Sequence, residues 1–175
     1  MARSMPKGGG GGSVDWVALA ESNPVVMFRV VEHLEDFQGR GGATPQVKVD
    51  MAILTGQQRG RVVTGERVIG KGITQELSKR DAQGGYVHAP GADVPVRLTV
   101  LQSYGNDYCA TQVPSTPEME VVDKLFPDGG EDEAWAKARK AWEAKGNSSG
   151  GDAPTPAMAG ASAAPAASAS DDAPW

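Results

Sequence analysis

The sequence predicts an all-β fold, a small barrel of five antiparallel strands with a short helix between the third and fourth strands. Three observations support this prediction. Segments rich in β-branched and aromatic residues recur along residues 25–114. Turn residues separate these segments at short intervals, and one short helical pattern interrupts them after the third. A closed barrel also hides the edges that such short strands would otherwise expose.

The first three strands are predicted at 25–31, 47–56 and 61–72. The first, VVMFRVV, follows an Asn-Pro turn signal, and its β-branched and aromatic residues favour a strand. The second alternates apolar and polar residues at its start, as a half-buried strand does. Gly65 indicates a bulge or a sharp bend in the third. Residues 32–46 are predicted to prolong the first strand and then to form a flexible loop at their Gly-Gly and Thr-Pro breakers.

A helix at 73–80 and strands at 95–105 and 108–114 complete the predicted domain. Ile73 and Leu77 form an apolar pair at the i,i+4 spacing of a helix. The fourth strand alternates, with Val96, Leu98 and Val100 on one face. Three strands, a short helix and two more strands form the layout of the OB-fold, a five-stranded Greek-key barrel. Other small barrels stay open as alternatives, because periodicity does not reveal the order of strands in a sheet.

The composition divides the chain into a Gly-rich N-terminus (1–13), the barrel domain (14–116), a helical extension (117–145) and a low-complexity segment (146–175). The strongest helical pattern, at 131–145, starts with acidic residues and ends with lysines, which suits the helix dipole. Trp135, Ala138 and Trp142 share one face of this helix. The two tryptophans either pack against the barrel or form a surface for a homo-oligomer or another partner. The Ala, Ser, Gly and Pro of the last segment predict disorder.

The composition disfavours an enzyme and a membrane protein. The single Cys109 excludes an intramolecular disulfide and a multi-cysteine metal site, and its apolar neighbours predict a buried thiol. The two histidines, His33 and His88, have no metal-ligand spacing, and no phosphate-binding or nucleophile motif occurs. No apolar run is long enough to span a membrane. We therefore expect a soluble, cytoplasmic protein that is not an enzyme and needs no cofactor or metal.

The charge distribution favours a nucleic-acid partner, although the net charge is −5. Residues 37–80 hold eight Lys or Arg against three Asp or Glu, whereas residues 116–175 hold five against eleven. Single-strand binders combine a positive groove for the phosphates with aromatic side chains on which bases stack. The basic candidates fall on the second and third strands and the adjoining segments: Arg40, Lys48, Arg59, Arg61, Arg67, Lys71, Lys79 and Arg80.

The stacking candidates lie in or beside predicted loops and strand ends: Phe37, Tyr86, Tyr104 and Tyr108. For each of them the alternative is a ring packed in the core or across a hairpin. For each basic residue taken singly, the alternative is a solvated surface charge. The clustering of the basic residues is what favours a binding surface.

The C-terminal SDDAPW combines two carboxylates with an indole, and it follows the Gly/Ala/Ser/Pro-rich segment. Residues 146–175 resemble the C-terminal part of bacterial single-stranded DNA-binding proteins, in which an OB-fold is followed by such a linker and an acidic tip that ends in Pro and an aromatic residue. Phage-encoded single-stranded DNA-binding proteins carry similar tails. VKVDMAILTGQQRGRVV, ITQEL and the pair PVRLTVLQ and YCATQVP resemble the barrels of such phage proteins from high-GC bacteria.

The resemblance implies sequence-tolerant binding of single-stranded DNA in phage DNA replication, recombination or repair, within the host cytoplasm. The residues expected to recruit replication or recombination proteins are Asp171, Asp172, Pro174 and Trp175. A basic pocket on the partner would hold the carboxylates, and an apolar slot would take the indole. A flexible tether of about 25 residues reaches roughly 25–30 Å, so the acids would also compete for the protein's own basic groove. A virion structural or decoration protein is the main alternative, and an interaction module associated with an enzyme is the second.

Overall fold

The computed structural model describes residues 14–69 and 71–147. Within these ranges five antiparallel strands form one curled sheet, a half-barrel, in the spatial order β3-β2-β1-β4-β5. The strands are β1 (Val25–Gly39), β2 (Gly42–Ile53), β3 (Val62–Ile69), β4 (Asp93–Ser103) and β5 (Asn106–Gln112). The helices are α1 (Trp16–Ala20), α2 (Lys71–Leu77), α3 (Thr116–Leu125) and α4 (Glu131–Glu143).

The predicted class and element order are confirmed. The chain is mainly β, α2 connects β3 to β4, and two helices follow β5. Across the part of the chain that the structure describes, no helix has the length and apolar character needed to cross a membrane.

β1 and β2 form one long hairpin, so the predicted extension of the first strand is confirmed and the flexible loop predicted at the Gly-Gly and Thr-Pro breakers is wrong. β1 continues to Gly39 and β2 begins at Gly42, where φ is +98°. Gly39 faces Gly42 in the ladder, so Arg40 and Gly41 alone make the turn. Two register shifts interrupt this ladder, and such bulges bend and twist a strand pair. The Gly-Gly and Thr-Pro residues therefore lie in a tight hairpin and not in a long loop.

One face of the sheet packs against α1 and α2. Because successive side chains of a strand point to opposite faces, every second residue of β1, β2 and β4 points to this face. The strands contribute Val26, Phe28, Val30, Val47, Val49, Met51, Ile53, Val63, Val68, Val94, Val96, Leu98 and Cys109. The helices contribute Leu19, Ala20, Ile73 and Leu77. The apolar pair predicted for the short helix thus lies in this core.

The other face of the sheet packs against α3 and α4 over part of its length, and Trp135 is the centre of this second core. Its side chain is fully buried and meets Phe126 in an edge-to-face contact with 5.3 Å between ring centroids. Trp142 is partly buried against the same core. Of the two alternatives for the tryptophan face, packing on the sheet holds fully for Trp135 and partly for Trp142. The chain's own residues cover the whole side chain of Trp135, so this residue is not available to a second copy, and a homo-oligomer through Trp142 stays a prediction.

Arg29 fixes α4 to the sheet. Its Nε and Nη2 donate to the two carboxylate oxygens of Asp93, at 2.8 Å each, and its Nη1 donates to Asp132 Oδ1 at 2.5 Å. Its guanidinium carbon lies 5.4 Å from the centroid of Trp135, and the indole Nε1 of Trp135 donates to Asp93 Oδ1 at 3.0 Å. The hydrogen bonds to Asp93 outweigh desolvation and raise the pKa of Arg29. The guanidinium of Arg29 and the carboxylate of Asp93 therefore connect β1, β4 and α4.

Cys109 lies in the first core, as its apolar neighbours predict. Its thiol is free and buried. Burial raises the pKa of the thiol to about 12, because the apolar surroundings disfavour the thiolate. At neutral pH the side chain is therefore a small apolar group.

Gly72 is the point where α2 meets β5, and we expect Gly72→Ala to destabilise the fold. A Cβ at this position would lie 2.1 Å from the carbonyl oxygen of Cys109, so α2 or β5 would have to shift. Overpacking of this kind costs about 1–3 kcal/mol, more than Ala gains over Gly as a helix former. Urea unfolding followed by circular dichroism measures the difference. Gly41→Ala is the control, because a Cβ there meets nothing within 4 Å; equal stability of the two variants would contradict the prediction.

Glu118 gives the stability a dependence on acid pH. Its Oε2 accepts hydrogen bonds from the backbone nitrogen and the Oγ of Ser115, both at 2.7 Å. These bonds lower the pKa of Glu118. A lowered pKa in the folded state means that the carboxylate stabilises the fold above its ordinary pKa of about 4.3, and that this contribution disappears as the pH falls through the folded-state value.

We therefore expect Glu118→Gln to be less stable than the wild type at pH 7, with a smaller difference at pH 3. Urea midpoints at the two pH values measure this. A difference of the same size at both would mean that the charge of Glu118 has no part in it.

Candidate nucleic-acid interface

α3 and α4 leave part of the second sheet face uncovered, and the basic residues of β2 and β3 lie there. Lys48 and Arg67 are directly paired across β2 and β3. The neighbours of Lys48 along the strand, Val47 and Val49, belong to the first core, so the lysine points to the opposite face. Its Cε lies 3.4 Å from the position of a Cβ on Gly65. The side chain of Lys48 therefore lies against the bulge at Gly65 in β3.

A buried amide holds Arg67 in place. The Nε of Arg67 donates to Gln46 Oε1 at 2.7 Å, and Gln46 Nε2 donates to the carbonyl oxygen of Glu35 at 2.8 Å. Gln46 is 6% exposed, whereas Arg67 is exposed. A guanidinium has five N–H donors, and the bond to Gln46 uses one of them. The side chain is thus positioned and still able to bind an anion.

Phe37 lies beside Arg67. It projects from the end of β1, is 47% exposed and rests against Gly39. Phe37, Gln46 and Arg67 line a shallow open cavity of about 490 Å³ together with Leu34, Glu35, Asp36 and Gln38. We call the group Phe37, Gln46, Lys48 and Arg67 the Arg67 face. It combines an exposed ring, two cations and an amide, with the carboxylates of Glu35 and Asp36 at its border.

The other predicted basic residues do not join this face in one patch. Arg40 is exposed in the β1–β2 turn, next to it along the hairpin. Arg59 and Arg61 lie in the β2–β3 connection at the other end of β2, where Arg61 Nη1 donates to Gln58 Oε1 at 2.6 Å. Lys71 begins α2, and Lys79 and Arg80 follow it. The cluster that the sequence suggested is thus divided among three places.

Tyr86 does not offer a free ring face. The imidazole of His33 stacks on it with 3.5 Å between centroids and 1° between planes. Arg80 lies with its guanidinium carbon 4.2 Å from the same centroid, which places it on the opposite face of the ring. Its Nη2 also donates to the Tyr86 hydroxyl at 2.9 Å. Both faces of Tyr86 are therefore covered, and stacking of a base on it requires Arg80 to move.

Tyr104 and Tyr108 belong to the β4–β5 hairpin. Tyr104 is fully exposed in the turn with φ of +50°, and Tyr108 is 39% exposed opposite Leu101. Since β4 runs antiparallel to β1 and passes its start, this hairpin projects at the opposite end of the strands from Phe37. The two tyrosines form an exposed group of their own, separate from the Arg67 face.

Sequence reasoning missed two residues that organise this region. Gln46 is buried near the start of β2, in a segment that the sequence predicts to end in a flexible loop. The sequence signal for Gln46 is its position as a polar residue next to a strand that alternates apolar and polar side chains. His33, which has no metal-ligand spacing in the sequence, stacks on Tyr86, and its Nε2 donates to the carbonyl oxygen of His88 at 2.7 Å. No local pattern indicates that contact.

The predicted partner-binding residues Asp171, Asp172, Pro174 and Trp175 lie outside the described residues. No protein-family model, curated protein or solved structure matches the chain.

Proposed function

We propose that the protein is a sequence-tolerant single-stranded DNA-binding protein with an OB-like barrel. The observation that carries the proposal is the Arg67 face, in which a ring and two cations lie together on an uncovered part of β2 and β3 and beside the β1–β2 hairpin. In OB-folds the face of strands 2 and 3 and the adjoining loops bind oligonucleotides. The strand order with α2 between β3 and β4 supports the same assignment.

The chemistry of the face suits a single strand better than a duplex. Arg67 and Lys48 contact phosphates, with Arg40 able to add a third contact from the hairpin turn. Phe37 offers a surface for one base, and stacking contributes about 1–3 kcal/mol per base. Every base has such a face, so this contact does not select a sequence. A paired base in a duplex cannot reach Phe37 without leaving its stack.

The tip with Asp171, Asp172, Pro174 and Trp175 serves as the docking element for proteins of DNA replication or recombination. Two carboxylates beside an indole suit a basic pocket with an apolar slot on the partner. In this proposal the barrel binds single-stranded DNA and the tip binds the partner protein, within the cytoplasm of the phage-infected cell. The proposed protein is not an enzyme and needs no cofactor.

Fluorescence polarisation of a labelled 30-mer oligo-dT with the full chain tests the proposal. Three phosphate contacts on a single strand predict a slope of about −2 in a plot of log affinity against log salt. Affinity should therefore fall by about 15- to 20-fold between 50 and 200 mM salt. Absence of binding at 50 mM, or equal affinity for a duplex of the same length, would refute the proposal.

The β4–β5 hairpin favours a second candidate, a virion structural or decoration protein. Leu101 and Tyr108 are exposed opposite each other, Tyr104 is fully exposed, and Val113 is 89% exposed. An exposed apolar group on a hairpin suits packing against another protein. This candidate predicts no binding to oligo-dT and a concentration-dependent assembly that Tyr104→Ser weakens, measured by light scattering.

A further inference from the structure

A groove lies between α3 and the connection from β2 to β3. Its volume is about 630 Å³, within the range of pockets that hold small ligands. The apolar part of its lining is Leu54, Pro117, Val121 and Leu125, with Thr55 and Gly56 at the edge. The groove is thus an open apolar slot on the helix-covered end of the sheet.

Two cations border this slot. Arg59 comes from the β2–β3 connection and Lys124 from the last turn of α3, and both are exposed. Among the described residues that line the groove, Glu120 is the one with a carboxylate. Net positive charge beside an apolar slot suits a ligand that joins carboxylates to an apolar ring.

We propose that the groove binds the C-terminal tip of the same chain, with the Trp175 indole in the apolar slot and Asp171 and Asp172 beside Lys124 and Arg59. The two carboxylates and the indole of the tip suit the cations and the apolar lining of the groove. The 24 positions from Asn147 to Asp171 span at most about 80 Å when extended, which exceeds the roughly 35–40 Å diameter of a domain of this size. The tip can therefore reach the groove from the end of the described chain.

The groove is separate from the Arg67 face. It adjoins the end of β2 where Ala52 pairs with Val62, whereas Lys48 and Arg67 pair further along the same strands. A docked tip therefore leaves the Arg67 face open, so tip and DNA bind at the same time instead of competing for one groove. The inference also assigns Arg59 to the tip instead of to the nucleic acid.

Proximity cross-linking in the full chain tests this inference. Glu120→Cys places a thiol in the groove, and Ala173→Cys places one in the tip. The matched control pairs Ala173→Cys with Lys137→Cys, an exposed position on α4. Cys109 stays unreactive because burial raises its pKa to about 12. At high dilution we expect the groove pair to form its intramolecular disulfide at least 10-fold faster than the control pair, measured by mass spectrometry, because docking raises the effective concentration.

Charge variants test the recognition itself. Adding Lys124→Glu, or Asp171→Asn with Asp172→Asn, should reduce the 10-fold rate advantage of the groove pair to less than 3-fold. The tip variant leaves residues 14–147 unchanged, so a loss there does not arise from misfolding. Three outcomes would overturn the inference. The groove and control pairs could react at equal rates, the advantage of the groove pair could persist in both charge variants, or most disulfides could form between two chains.

Oligo-dT binding by the same proteins separates this inference from the proposed function. Lys124→Glu should change the affinity for oligo-dT by less than 2-fold, because Lys124 is not part of the Arg67 face. A large loss would mean that the groove belongs to the DNA-binding surface, which overturns the separation proposed here. Cross-linking that is fast in a protein unable to bind oligo-dT would support tip docking and refute only the DNA-binding proposal.

Discussion

Trp135→Ala should lower the free energy of unfolding by about 3–5 kcal/mol, the usual cost of truncating a large buried aromatic side chain. The indole is fully buried and packs edge-to-face on Phe126. Its removal leaves a cavity under α4. It also removes the Nε1 donor to Asp93 and the ring beneath Arg29. Urea unfolding followed by circular dichroism measures the loss.

Trp142→Ala is the matched control, since Trp142 lies on the same face of α4 but is only partly buried. We expect it to cost less than half as much as Trp135→Ala. A stability loss that is equal in the two variants would contradict the central position of Trp135 in the second core. Trp135→Phe, which keeps an aromatic ring but not the donor, should fall between the wild type and Trp135→Ala.

Reversal of two charges on the Arg67 face, Lys48→Glu with Arg67→Glu, should weaken binding to oligo-dT by at least about 10-fold at 50 mM salt. Each lost phosphate contact removes about 0.7 from the slope of log affinity against log salt, so the slope should also fall by about 1.4. Fluorescence polarisation at several salt concentrations gives both quantities. The slope distinguishes lost phosphate contacts from a general loss of affinity.

Lys137→Glu with Lys140→Glu is the matched control, because it reverses the same number of charges on exposed positions of α4. Its affinity should stay within about 3-fold of the wild type. If both double variants weaken binding alike, the overall charge attracts the DNA and the Arg67 face has no special part. Arg67→Ala tests the same contact without introducing a carboxylate beside Glu35 and Asp36.

The fold was predictable from sequence where local patterns decide it. Alternation in the fourth strand, the Gly65 bulge and the apolar pair Ile73 and Leu77 are local signals, and the structure confirms the five strands and the helix they predict. Whether the tryptophan face of a helix is exposed or buried depends on contacts with distant parts of the chain. Helical spacing groups Trp135 with Trp142, but only the position of α4 on the sheet determines that one is fully buried and the other partly.

The candidate site was less predictable, because its contacts join residues far apart in the chain. Tyr86 satisfies every local criterion for a stacking residue, yet His33 from β1 and Arg80 after α2 cover its two faces. Likewise, a tally of basic residues along 37–80 does not reveal that Arg59, in the connection before β3, lies far from Arg67 near the end of β3. The extended length of β3 separates them, whereas the strand register brings Lys48 beside Arg67.

The bridge through Arg29 has a consequence for the boundaries of the smallest unit able to fold. Asp93 of β4 is shared between Arg29 of β1 and the indole of α4, and Asp132 of α4 completes the link. An expression fragment that stops after β5, at the boundary between barrel and extension that composition suggests, would expose Val25, Met27 and Val62 and leave Arg29 with half of its carboxylate partners. We therefore expect the smallest unit able to fold alone to extend from α1 to the end of α4, because the helices after β5 form a structural layer on the sheet.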